Sequence, residues 1–283
     1  MPNFPIIDTH LHLWDPKNLD YPWLADTPVL NKAYLLDAYK SATESVEVEK
    51  MVFIQCECNP EQSEDEAVWV TELAQKDTRI QGIVAQAPLE LGEGARAILL
   101  RYSKNKLIKG VRRLIQSEAD LNFCIQPDFV TGVQLLSEYN FSFDICILHT
   151  QLENTIKLVT QCPNTQFILD HIGKPDIKAQ LFEPWKENIK KLAQFSNVQC
   201  KVSGLVTEAA VDNWTKEDLK PYIDHILDSF GTDRVLFGGD WPVIIGAATY
   251  TKWVETLDWA LNTYSEDDLQ KIYRKNAIAF YKL

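Results

Sequence analysis

Basic residues are in deficit: 28 Lys and Arg stand against 40 Asp and Glu, a formal net charge of -12. Phosphate backbones and anionic bilayers are held by clustered Lys and Arg, so the balance excludes a nucleic-acid or membrane-surface partner. Apolar runs are far too short to cross a bilayer, and residues 1–30 lack the basic region and apolar core of a secretory signal. The expectation is a soluble, cytoplasmic protein. Gly/Ser and Pro tracts, fixed-period repeats and low-complexity blocks are also missing, so 283 residues are expected to form one domain, 1–283. Cysteine is sparse, with six residues scattered through apolar segments. Cys56 and Cys58 bracket Glu57, but no second Cys or His pair follows at zinc-site spacing, so reduced, buried thiols are expected.

What is present is alternation. Eight β-rich runs, at 6–13, 50–56, 80–87, 108–115, 143–148, 166–170, 198–202 and 234–237, are separated by segments of helical period. Leu152, Ile156 and Val159 keep that period. So do Trp185, Ile189 and Leu192, and Tyr222, Ile223, Ile226, Leu227 and Phe230. Eight strands alternating with helices predict an α/β fold, a closed (β/α)8 TIM barrel. The rival, a doubly wound open sheet, should carry a Gly-rich phosphate loop after the first strand, and none is there. Instead residues 14–31 form a long segment with Trp14, Trp23, Pro16, Pro22 and Pro28. Such a segment serves either as a lid or as packing over a barrel end.

A barrel gathers the C-terminal ends of all its strands on one face. Four of five histidines lie at such ends: His10 and His12 after the first strand, His149 after the fifth, His171 after the sixth. Asp240 follows the eighth. Side chains alternate along a strand, so His10 and His12 share a face. Two neutral imidazoles and a carboxylate are the donors that zinc or a similar divalent ion accepts. His225 falls within a helical segment and is read as structural.

The motifs around these residues resemble the amidohydrolase superfamily, within it the sugar-lactone hydrolase branch of L-fuconolactonase and L-rhamnonolactonase-like proteins. Asp8-Thr9-His10-Leu11-His12-Leu13-Trp14-Asp15-Pro16 is similar to that branch's opening motif and Tyr21-Pro22-Trp23-Leu24 to its following loop. Gly110-Val111-Arg112-Arg113 resembles the fourth-strand segment, Leu169-Asp170-His171-Ile172-Gly173-Lys174-Pro175 the sixth, and Phe237-Gly238-Gly239-Asp240-Trp241-Pro242 the eighth, where Ser is commoner than Gly239. The resemblance implies a (β/α)8 barrel enzyme that opens a sugar lactone, or a similar carboxylic ester, in breakdown of a deoxy or acidic sugar.

Hydrolysis needs a base for water, a donor for the oxyanion and an acid for the leaving oxygen. Asp240 suits the proton transfers and His171 the donor role. One divalent cation, zinc or manganese, is expected on His10, His12 and Asp240, with His149 as a further ligand. A metal-free Asp and His mechanism is the alternative, because a lactone is an activated ester. A binuclear centre is not expected: binuclear relatives bridge their metals with Lys or Glu at the end of the fourth strand, where this chain has Arg112 to Gln116, and Lys109 is at the strand's other end. Substrate contacts are expected from Arg112, Trp14, Trp23, Trp241, Lys174 and Gln55, each Trp being equally suited to core packing. The partner expected is a small molecule, with a homo-oligomer left open. A metal-dependent decarboxylase of the same superfamily and a non-catalytic sugar-acid binder are the other readings.

Overall fold

The computed structural model describes all 283 residues. Eight strands run β1 (Ile6–Leu11), β2 (Val48–Ile54), β3 (Ile80–Ala85), β4 (Ile108–Val111), β5 (Ser142–Ile145), β6 (Gln166–Leu169), β7 (Val198–Val202) and β8 (Val235–Phe237). They pair in parallel in sequence order. Between them lie α1 (Leu36–Ala42), α2 (Ser63–Lys76), α3 (Arg96–Tyr102), α4 (Pro127–Leu135), α5 (Leu152–Gln161), α6 (Trp185–Leu192) and α7 (Lys216–Phe230). After β8 come α8 (Tyr250–Ala260), α9 (Glu266–Gln270) and α10 (Asn276–Tyr281). This is the (β/α)8 barrel. No helix is long and apolar enough to cross a membrane.

The helical periods at Leu152, Trp185 and Tyr222 correspond to α5, α6 and α7, whose apolar stripes are buried against the strands. Each such buried aliphatic or aromatic side chain contributes about 1.5–3 kcal/mol. At the start of α7, Thr215 accepts from the Asp218 amide and the Asp218 carboxylate accepts from the Thr215 amide. That reciprocal cap is worth about 1 kcal/mol. Apolar side chains split into a large cluster between strands and helices and a small one containing Ile7, Val52, Ile54, Val84, Ile168 and Leu236, which Ala277 and Tyr281 of α10 complete. Lys109 bonds the Lys282 carbonyl near this C-terminal segment.

Most strands end earlier than the sequence suggests. The first stops at Leu11 rather than 13, the second at Ile54, the fourth at Val111 and the fifth at Ile145. Apolar residues continue beyond these ends, among them Leu13, Cys56, Leu114, Ile115 and Ile147, so composition does not mark the point where ladder pairing stops. Closure is also irregular. The join between β8 and β1 is an isolated bridge, Leu11 to Trp241, with Asp240 N donating to His10 O at 2.7 Å and His12 N to Trp241 O at 2.9 Å.

Candidate active site

At this seam four titratable side chains converge. His10 Nε2 lies 3.2 Å from His12 Nε2, and Asp240 Oδ1 lies 3.7, 3.5 and 4.0 Å from the Nε2 atoms of His10, His12 and His171. All four are buried. Gly204, which leaves β7 with φ +66°, explains how they fit. A Cβ there would lie 2.6 Å from both Asp240 Oδ2 and His171 Nδ1. His171 and Asp240 themselves have φ of 51° and 52°.

The hydrogen-bond partners fix the tautomers. His12 Nδ1 faces the Ile54 carbonyl at 2.8 Å, which can only accept, so Nδ1 carries the hydrogen and Nε2 is bare. For His10 the Arg112 guanidinium, which can only donate, stands 3.3 Å from Nε2, so that nitrogen is bare and Nδ1 carries the hydrogen on the side of Asp170 Oδ1, 3.4 Å away. Two bare imidazole nitrogens and a carboxylate oxygen therefore point at one another, an arrangement that suits a divalent cation. Arg112 Nη1 stands 3.3 Å from the same His10 nitrogen and is the protein's own donor to it.

Burial lowers the basicity of all three imidazoles, His171 to about 4, with partial compensation from Asp170 at His10 and from Asp240 at His12 and His171. Burial alone would raise Asp240. The surrounding His171, His12 and His10 outweigh it, and the carboxyl is held below its usual range. At neutral pH the cluster is one carboxylate and three neutral imidazoles.

Behind His10 lies a charge network that sequence reasoning missed. Lys201, wholly buried in β7, is 2.6 Å from Asp144 and 3.0 Å from Asp170. Tyr281 also donates to Asp144. Asp170 keeps its charge despite burial because Lys201 and His10 face it, and it thereby orients His10. The available signal was Lys201 itself, a charge in the middle of a buried strand. Its partners sit on neighbouring strands and become visible only with the barrel closed. Ser203 was missed too; its hydroxyl is 2.9 Å from His171 Nδ1.

The cluster opens to a cavity of about 300 Å³, lined by Trp14, Trp23, Arg112, Lys174, His12 and Asp240 among others. That volume suits a ligand with one sugar-sized ring. A larger groove of about 790 Å³ between α6 and α7 borders His225, whose Nε2 lies 2.9 Å from the Lys186 carbonyl, but it brings no second histidine to that ring.

Three expected site residues stand elsewhere. His149 is half-buried, with Nδ1 against the Lys174 carbonyl at 3.1 Å, and does not join the cluster. β5 ends four residues earlier, and the intervening chain carries the ring away. Trp241 packs edge-on against Tyr34 and Tyr39 in the core. Gln55 turns its amide to Glu57, and only its carbonyl approaches the site, accepting from Arg112 at 2.6 Å. All six cysteines are free and buried. Burial raises the Cys56 thiol well above its ordinary value.

Residues 7–283 match the model of the amidohydrolase family, and the chain belongs to that family. L-fucono-1,5-lactonase of Burkholderia multivorans is 30% identical over 292 residues, covering 98% of this chain and 96% of the relative. L-rhamnono-gamma-lactonase of Scheffersomyces stipitis is 24% identical, with both chains fully covered. A crystal structure of an amidohydrolase from Burkholderia multivorans with bound zinc superposes with a TM-score of 0.87 at 28% identity, covering 99% of this chain and all of that one. The protein is a hydrolase acting on ester bonds.

Proposed function

We propose that the protein hydrolyses a sugar lactone in carbohydrate breakdown. The observation that carries this reading is the buried Asp240 carboxylate, within 4.0 Å of three imidazoles, beside a cavity that also has tryptophan in its wall. The lactonase relatives support the same reaction.

Asp240, ionised and desolvated, takes a proton from the attacking water. In this reading the Ser203 hydroxyl, 2.9 Å from His171 Nδ1, is the donor of that pair, and His171 Nε2, carrying the ring hydrogen, donates to the carbonyl oxygen as it gains charge. When the acyl–oxygen bond breaks, Asp240 returns its proton to the departing alkoxide, and the product is a hydroxy acid. Arg112 and Lys174 border the ligand. His10, His12 and Asp240 fit a divalent cation, zinc or manganese, which when bound supplies Lewis-acid polarisation of carbonyl and water. The zinc in the related crystal structure supports that assignment.

The test is a pH-indicator assay of acid release on a panel of 1,4- and 1,5-sugar lactones, with and without chelator. Asp240→Asn is expected to lower kcat by about 10²- to 10⁴-fold, the usual contribution of a positioned base, without unfolding the barrel. Unchanged turnover in that variant would overturn the mechanism. Activity lost to chelator and regained with zinc or manganese assigns the histidines as ligands; activity that survives assigns them to substrate. Carbon dioxide release with no lactone turned over would establish decarboxylation instead.

A further inference from the structure

Glu57, three residues past the end of β2, lines the cavity, where the cations Arg112 and Lys174 lie close to other carboxylates. Its backbone is left-handed, φ +54°, a conformation a glutamate rarely adopts without a reason. The Gln55 side chain holds it there, accepting from the Glu57 amide at 2.6 Å and donating to Glu57 Oε1 at 2.9 Å. The Trp23 indole donates to the carbonyl of the preceding residue, Cys56, at 2.8 Å, so ring and carboxylate share one wall. Trp14 packs edge-on against Trp23 at 5.3 Å.

The cavity's cations are both engaged by protein. Arg112 donates to the Gln55 carbonyl and lies 3.4 Å from Asp170, and Lys174 lies 3.8 Å from Glu208. Glu57 is in no ion pair; its side-chain partner is the Gln55 amide, and Arg112 faces it only at longer range. In the adjoining cleft Arg101 pairs with Glu64, and Arg113 with Glu90 and Glu118, which leaves Glu61 as a second unmatched carboxylate beside it.

We infer that Glu57 is a specificity-determining residue that selects uncharged polyhydroxy lactones, accepting hydrogen bonds from ring hydroxyls while the Trp23 face covers the ring's C–H surface, and that it rejects lactones bearing an acidic substituent. A carboxylate beside an aromatic face meets both surfaces of a sugar ring. The same carboxylate, held by a neutral amide rather than in an ion pair, disfavours an anionic substituent placed beside it. The acidic sugars that the hydrolase chemistry alone would admit are thereby set aside. This inference rests on the lactonase reading.

The experiment compares kcat/KM for a neutral aldonolactone and for the aldarolactone that adds a free carboxylate, using the whole protein with zinc or manganese supplied. Wild type is expected to favour the neutral lactone by about 10-fold or more. Glu57→Gln is expected to raise KM for the neutral lactone by about 10- to 100-fold, the worth of a hydrogen bond to a charged group, with kcat within about threefold, and to narrow the preference. Added salt should speed the anionic substrate alone in wild type, a readout that stands even if the variant does not fold. Equal or faster hydrolysis of the aldarolactone, or an unchanged KM in Glu57→Gln, would overturn the assignment of Glu57 and leave the lactonase intact. Inertness toward both lactones would overturn the lactonase reading itself, and this one with it.

Discussion

Glu57, His171, Lys174 and Asp240 all hold left-handed backbone conformations, and all four line the cavity. Each such residue costs of order 1–3 kcal/mol, so the mouth stores strain that the packed barrel below must offset. A third acidic side chain stands just beneath. Glu66 of α2 is buried and accepts from the Cys56 amide, holding the loop that carries Glu57. Burial pushes its carboxyl from 4.5 up to about 8, against the opposing pull of the Cys56 amide and Arg112. Between these values the folded protein keeps a proton that the unfolded chain has released. Stability is therefore lost as pH rises from about 4.5 to 8 and levels off above. Melting temperatures of wild type and Glu66→Gln, measured across that range, should diverge in favour of the variant as pH rises. A difference that does not change with pH would refute the assignment.

At the scale of elements, one helix sits unusually close to its neighbour. A Cβ on Gly132 of α4 would lie 2.1 Å from the Leu89 carbonyl oxygen, so the helix rests backbone to backbone on the turn after β3. Gly132→Ala should destabilise the fold by about 1–3 kcal/mol, read from urea denaturation, and leave kcat per folded molecule unchanged because the contact is remote from the cavity. The elements themselves were visible in the chain. Helical period identified α5, α6 and α7, and β7 was found at its true bounds, with Ser203 and Gly204 directly after it. The addresses of site residues were visible less evenly. His12 lies one residue past β1 and still reaches the cluster, whereas His149 lies four past β5 and does not. Distance from the ladder decided this, and composition does not report it. Lys201, Asp144 and Asp170 come from three neighbouring strands, so their mutual neutralisation appears only once the sheet order is known.

Across the whole molecule, seven joins are ladders of β-strands and the eighth is a seam. It includes the two backbone bonds around Asp240, a bond from the Gly239 amide to the Asp8 carboxylate at 2.7 Å and one from the Thr9 hydroxyl to the Phe237 carbonyl at 2.6 Å. The geometry of the proposed site and the closure of the barrel thus depend on the same few contacts. In a urea titration, activity is expected to fall at lower denaturant than the helical circular-dichroism signal, because the seam is the join with least pairing. Coincident transitions would show instead that the seam opens only with the whole barrel.

The seam also has a history within each molecule's synthesis. Thr9 and its partner Phe237 are 228 residues apart, so at some 5–20 residues per second the first strand waits on the order of ten to fifty seconds for the last. During that interval β1 is an open edge, the kind of surface that recruits other strands and seeds aggregation. Asp8, Thr9 and His10 interrupt its otherwise apolar run with polar groups that a foreign strand would have to bury. The polar stretch that ends in the site's first histidine thus guards the nascent chain before there is a site to serve.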